Sequence, residues 1–170
     1  MDAKREGDPI SMKNRTTVER KSEREIVVTR TFNAPARIVF AAWTKPDLFK
    51  RWWVPKSAGI SLLSCEMDVR VGGKYRLVFG NDPAKGMEFF GRYLEVIPNA
   101  RLAWTNEEGG DGGAVTTVTF EEKAGKTHLV VHDLYPSKEA LEASGSTDAM
   151  PETLDQLDEL LGGLDASASS

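Results

Sequence analysis

Two indoles stand side by side in Leu48-Phe49-Lys50-Arg51-Trp52-Trp53-Val54-Pro55, directly behind two cations and ahead of a proline. Large rings beside fixed positive charge suit a site that holds an amphiphile: the rings cover its apolar part, and Lys50 and Arg51 meet a carboxylate or other anionic head. Neighbouring side chains diverge by about 100° on a helix and point to opposite faces on a strand, so Trp52 and Trp53 are not expected to sink into one core surface. One indole would plug the core and the other would face a pocket mouth. The simpler alternative is that both pack a short helix against a sheet edge, with Lys50 and Arg51 as ordinary solvated surface cations.

Other residue pairs offer sharper chemistry but poorer geometry. His128 and His132 lie four apart in a strand-like run, hence on one face about 13 Å apart, too far to share a zinc ion with bonds of about 2 Å. His132 alone remains a candidate general base or polar anchor, and Asp133 beside it falls on the opposite strand face. Glu66 and Asp68 share a face at about 7 Å, a separation known from paired carboxylates in glycoside chemistry, although the solvated outer face of a strand is the better account of them. Cys65 has neither a second cysteine nor a neighbouring base, and reads as a small buried hydrophobe. The glycine-rich stretches Gly80 to Gly86 and Gly109 to Gly113 lack the Lys-Ser/Thr of a phosphate loop and do not enter helices, so they read as hairpin loops. No catalytic residue, metal or cofactor is called for.

The elements that must position these residues belong to one domain. The chain has 170 residues, 40% hydrophobic and 28% charged, with no apolar run near the roughly 20 residues that span a bilayer. Residues 1–24 carry seven Lys/Arg against five Asp/Glu, residues 25–135 fourteen against thirteen, and residues 136–170 one against eight, giving +2, +1 and −7, the total of −4. A near-neutral body without a basic stripe argues against nucleic acid as a partner. The start, MDAKREGDPISMKNRTT, has no apolar h-region, and with a single cysteine the expected setting is reducing and cytoplasmic. Met12 is an alternative start.

Residues 1–24 and 163–170 lack apolar periodicity and read as disordered flanks of a domain at 25–162. A strand runs from Arg24 to Phe32, followed by Asn33-Ala34-Pro35 as the start of a helix reaching Trp43, and a shorter helix begins at Pro46. Six strands follow at about 60–69, 73–79, 87–97, 101–106, 114–122 and 126–134, separated by Gly, Asn, Asp and Pro. Met150, Leu154, Leu157 and Leu161 then form one stripe of a long helix, with Asp155, Asp158 and Glu159 off it, Asp148 at its cap and Gly162-Gly163 at its stop.

In motif order and spacing, the stretches TRTFNAPARIVFAAWTKPDLFKRWWVP (29–55), CEMDVRVGGKYRLVF (65–79), FFGRYLEVIPNARLAWT (89–105), VTFEEKAGKTHLVV (118–131) and LDQLDELL (154–161) resemble the family named after the activator of the 90-kilodalton heat-shock-protein ATPase. That family lies within the START-like (SRPBCC) superfamily. The resemblance implies an α+β helix-grip fold: a curved antiparallel sheet of about seven strands wrapped around a long C-terminal helix, with two short helices after the first strand. It also implies a hydrophobic cavity between sheet and helix for a small apolar or amphipathic ligand. The expected lining is Trp52, Trp53, Tyr75, Phe79, Tyr93, Trp104, His132, Met150 and Leu154. Many relatives carry Gly-Trp one turn before the leucine that matches Leu154, where this chain has Ala149-Met150. A flexible thioether then replaces a ring and leaves room in the cavity. The family name brings a second reading, contact with a chaperone, and the scaffold a third, an enzyme of the cyclase or hydrolase type.

Overall fold

The computed structural model describes residues 10–13, 16–54, 59–81, 86–107, 113–144 and 146–168. Gly109 to Gly112, Pro55 and the two ends at 1–9 and 169–170 lie outside them, as do the side chains of 143–149, Asp148 included. Nine strands form one sheet: β1 (Ile10–Lys13), β2 (Thr16–Arg20), β3 (Glu25–Phe32), β4 (Ser61–Met67), β5 (Lys74–Gly80), β6 (Met87–Ile97), β7 (Arg101–Thr105), β8 (Val115–Lys123) and β9 (Lys126–Leu134). Their order is β1-β2-β3-β9-β8-β7-β6-β5-β4, antiparallel throughout. Helices α1 (Ala36–Thr44) and α2 (Pro46–Phe49) follow β3, and α3 (Lys138–Ser144) and α4 (Ser146–Ala168) follow β9. This is the expected helix-grip α+β fold.

Period-two alternation produces the core. Along β3 the buried residues include Ile26, Val28 and Phe32; along β8 they are Thr116, Val118 and Phe120; along β9 they are Thr127, Leu129, Val131 and Asp133. Each set points to the side on which the helices lie. From α4, Met150, Leu154, Leu157 and Leu161 join the same core, as the stripe at i, i+4, i+7 and i+11 requires. The start of α1 is satisfied across the fold: its Ala36 N–H donates to Glu122 Oε1 of β8 at 2.9 Å, and Pro35 precedes it without any side-chain cap.

The sheet is wider than expected. Residues 10–13 and 16–20, read from composition as disordered, are strands, and β2 pairs with β3 through Thr17–Thr29 and Val18–Val28. Thr16 and Val18 are buried, but two small β-branched residues within a charged segment are too short a pattern to reveal a strand. At the other end, the α4 backbone continues through Gly162-Gly163 to Ala168 where a stop at 162 was expected. Glycine in a helix costs about 1 kcal/mol and does not oblige termination.

Asp155 and Asp158 also do more than solvate a helix face. Arg30 of β3, with only 3% of its side chain exposed, meets Asp155 Oδ1 at 2.7 Å and Asp158 Oδ2 at 3.1 Å. Its guanidinium further donates to Thr16 Oγ1 at 3.3 Å and lies 5.3 Å from the Phe32 ring centroid. One buried cation thus ties β2, β3 and α4 together. Because both acids are about two-fifths exposed, solvent softens the loss of their partner. Arg30→Ala is expected to lower stability by about 2–3 kcal/mol in urea unfolding. Removal of residues 1–22 is expected to lower the thermal midpoint by about 5 °C in calorimetry, since it uncovers the core around Val18.

Candidate ligand-binding site

The inner face of the sheet carries one row of side chains across five strands. Tyr93 of β6 pairs with Trp104 of β7, Trp104 with Thr116 of β8, Thr116 with Asp133 of β9, and Asp133 with Ile26 of β3. Directly paired residues share a face, and all five are buried. Rings extend the row on one side. Tyr75 lies 5.9 Å from Tyr93, Tyr93 6.4 Å from Trp104, and Trp104 5.9 Å from Trp43 of α1, which reaches Trp52 at 4.7 Å and Trp53 at 5.8 Å. Tyr75, Tyr93, Trp104 and Trp53 are therefore brought into one chain of aromatic contacts, with Met150 and Leu154 in the same core.

The tryptophan pair contradicts the expectation that both rings cannot enter one surface. Helix α2 ends at Phe49, and residues 50–54 turn, so neither helical nor strand geometry separates the two indoles. Trp53 stacks on Phe49 at 4.7 Å, and Trp52, wholly buried, donates from Nε1 to the Ala42 carbonyl at 3.0 Å. From α4, Gln156 Nε2 donates to the carbonyls of Trp52 and Val54 at 3.0 and 2.9 Å. Trp52 is an anchor of the core, and half-buried Trp53 lies nearer its rim. Lys50 approaches Asp47 at 3.9 Å, with both side chains exposed.

His132 lies on the other face. It is out of phase with Leu129, Val131 and Asp133, and its Nε2 pairs with Glu25 Oε2 at 2.9 Å on the outer side of the sheet. That hydrogen bond holds the Glu25 carboxyl below its ordinary range. Glu66 stands opposite Arg76 in the β4–β5 register, and Asp68 binds Arg70 at 2.8 Å. They border an outer trough of about 700 Å³ whose walls include the ion pairs Arg76–Glu88 and Arg92–Glu107. Burial pushes the Cys65 thiol up to about 11, which removes it as a nucleophile at neutral pH. Among the described residues no group of three His, Cys, Asp or Glu could hold a metal ion.

Sequence reasoning passed over Asp133 and its polar chain. Tyr75 O–H donates to the Thr105 carbonyl at 2.7 Å and lies 3.3 Å from Asn106 Oδ1; Asn106 Nδ2 donates to Thr116 Oγ1 at 3.1 Å; the Thr116 hydroxyl donates to Asp133 Oδ1 at 2.5 Å. Burial pushes the Asp133 carboxyl above its ordinary range, against the opposing pull of the Thr116 hydrogen bond and of nearby His132. Burial likewise raises the Tyr93 phenol. The indole Nε1 of Trp43 is buried without a hydrogen-bond partner among the described residues. The missed signal was the alternation Thr127, Leu129, Val131, Asp133, which sets a carboxylate at an inward position.

Comparison with known proteins bears on this arrangement. The model of the activator of Hsp90 ATPase homolog 1-like protein family matches residues 33–162. The chain belongs to this family. A crystal structure of a Rhodobacter sphaeroides protein is similar over 88% of this chain and 99% of its own, with a TM-score of 0.77 at 24% identity. A Nitrosomonas europaea crystal structure gives 0.74 at 25% identity over 86% and 99%, and a Staphylococcus epidermidis solution structure 0.69 at 28% over 86% and 93%. No curated protein matches. Among the described residues no helix is long and apolar enough to cross a membrane.

An acid whose folded pKa is raised binds protons more readily when folded, so stability falls as pH rises through the interval above the ordinary aspartate value. Asp133→Asn is therefore expected to raise the thermal midpoint by about 2–4 °C at pH 8, with the gain shrinking as the pH is lowered towards 4. Paired calorimetric scans across that range check it.

Proposed function

We propose that the protein binds one small apolar or amphipathic molecule between the inner face of β4–β8 and helix α4. The contacts come from Tyr75, Phe79, Tyr93, Trp104, Met150 and Leu154, with Trp53 at the rim. The observation that carries this reading is the uneven cover of the sheet. Helix α4 packs on β2, β3 and α1. At the far end, Phe79 and Phe89 touch edge to face at 5.0 Å on the side that Leu77 shares, yet Phe89 is 36% and Met87 56% exposed. Apolar surface of this kind beside a family fold built around a grip is where a ligand gains most from leaving water. Pockets that hold such molecules are lined in the same way, with mostly apolar walls and a few polar groups. A cytoplasmic setting fits the lone half-buried Cys65.

A probe burying about 200 Å² of apolar surface gains about 5 kcal/mol before ordering costs, which corresponds to a dissociation constant of about 0.2 mM at best. Titration with N-phenyl-1-naphthylamine, followed by probe emission and by tryptophan emission, is expected to saturate with the folded protein and not with a heat-unfolded control. Met150→Trp, which refills the space left by the missing ring, is expected to weaken binding by about fivefold or more. Absence of a saturable signal from the folded protein would remove the proposal, and unchanged affinity in Met150→Trp would move the pocket away from α4.

A further inference from the structure

We propose that the ligand of this cavity is an amphiphile with a cationic, ammonium-type polar end, held by the carboxylate of Asp133. The inference rests on the cavity reading above and assigns its polar pole.

Asp133 is 9% exposed, and the β9 alternation and the row Tyr93–Trp104–Thr116–Asp133 set it on the inner face, next to Thr116 and two strands from Trp104. A carboxylate has room for about four hydrogen bonds. Among the described residues this one receives a single bond, from Thr116, and that bond goes to Oδ1. Thr116 Oγ1 accepts from Asn106, which fixes its own proton on Asp133 and stops the hydroxyl from turning away. Oδ2 receives no hydrogen bond among the described residues and is not sealed from solvent, which leaves it open to a donor that enters beside it.

The cations of the inner face are already committed. Arg30 is held by Asp155, Asp158 and Thr16. Arg20, paired with Ile26 at the end of the same row, lies 3.5 Å from Glu142 and donates to the carbonyls of Ser22 and Glu23. A buried carboxylate with one neutral partner is a poor bargain for the fold unless a positive group completes it. A ligand ammonium can donate to Oδ2 and neutralise the charge at once, whereas a fatty carboxylate would set two like charges together. A neutral hydroxyl would supply the hydrogen bond without the neutralisation.

The test compares dodecylamine, dodecanol and dodecanoate at pH 7, each below its micellar concentration, by displacement of N-phenyl-1-naphthylamine from the wild-type protein. Dodecylamine is expected to bind about tenfold more tightly than dodecanol, with dodecanoate weakest. In Asp133→Asn, shown folded by its thermal midpoint, the ratio of amine to alcohol affinity is expected to fall to near one. Equal affinity for amine and alcohol, or preference for dodecanoate, in a wild-type protein that binds the naphthylamine overturns the polar assignment and leaves the cavity standing. A retained amine preference in Asp133→Asn overturns the role of Asp133. Failure of the naphthylamine itself to bind removes the cavity, and the polar assignment with it.

Discussion

A guanidinium sealed between sheet and helix governs the architecture. Arg30 has almost no access to water, so its charge must be met from within, and α4 supplies two acids at the right spacing, one turn apart on one helix face. The stripe of leucines beside those acids then fixes the rotation of α4 about its axis, because ions and leucines must both reach their partners. Hydrophobic burial would let the helix slide along the curved face, whereas two charge-assisted hydrogen bonds of defined direction select one seat. Buried ion pairs are weak sources of net stability but good sources of register, and this one is used in that way.

With α4 held at the β2–β3 end, the remainder of the inner face is left to the aromatic side chains. Trp43, Phe49, Trp52, Trp53 and Trp104 fill the middle as a cluster of edge-to-face and stacked rings, anchored by the Trp52 hydrogen bond to Ala42 and by Gln156. Beyond that cluster Tyr75 and Tyr93 are buried, while Phe79 at the end of β5 is half-buried and Phe89 of β6 is 36% exposed. The polar chain from Tyr75 to Asp133 crosses the same region. It depends on a close approach of β6 to β7: a Cβ on Gly91 would lie 2.0 Å from the Thr105 carbonyl oxygen that accepts the Tyr75 hydroxyl.

Most of the architecture was legible because strands with one buried face announce themselves by alternation. The runs predicted at 73–79, 87–97 and 126–134 match β5, β6 and β9 within one residue. What stayed hidden depends on distant partners. Strand β2 is defined by its pairing with β3 and not by its own composition, and the roles of Arg30, Asp155 and Glu122 exist only once elements 80 to 130 residues apart have met. For the candidate site, the aromatic members were visible as large residues at inward positions. His132 was chosen for its chemistry and Asp133 passed over, although the same alternation that buries Val131 turns the imidazole outward and the carboxylate inward.

The pairing of β3 with β9 has a consequence for how the chain comes to be folded. The strand at residues 25–32 finds its second neighbour only at 126–134, and Arg30 finds its acid 125 residues further on. Until β9 and α4 are in place the early segment leaves Ile26, Val28 and Phe32 uncovered, while the hairpins from β4 to β8 can form from local contacts. The meander thus assembles first, and the N-terminal strands close it afterwards together with the final helix. The decisive step is then a loop closure of about a hundred residues that brings β3 onto β9.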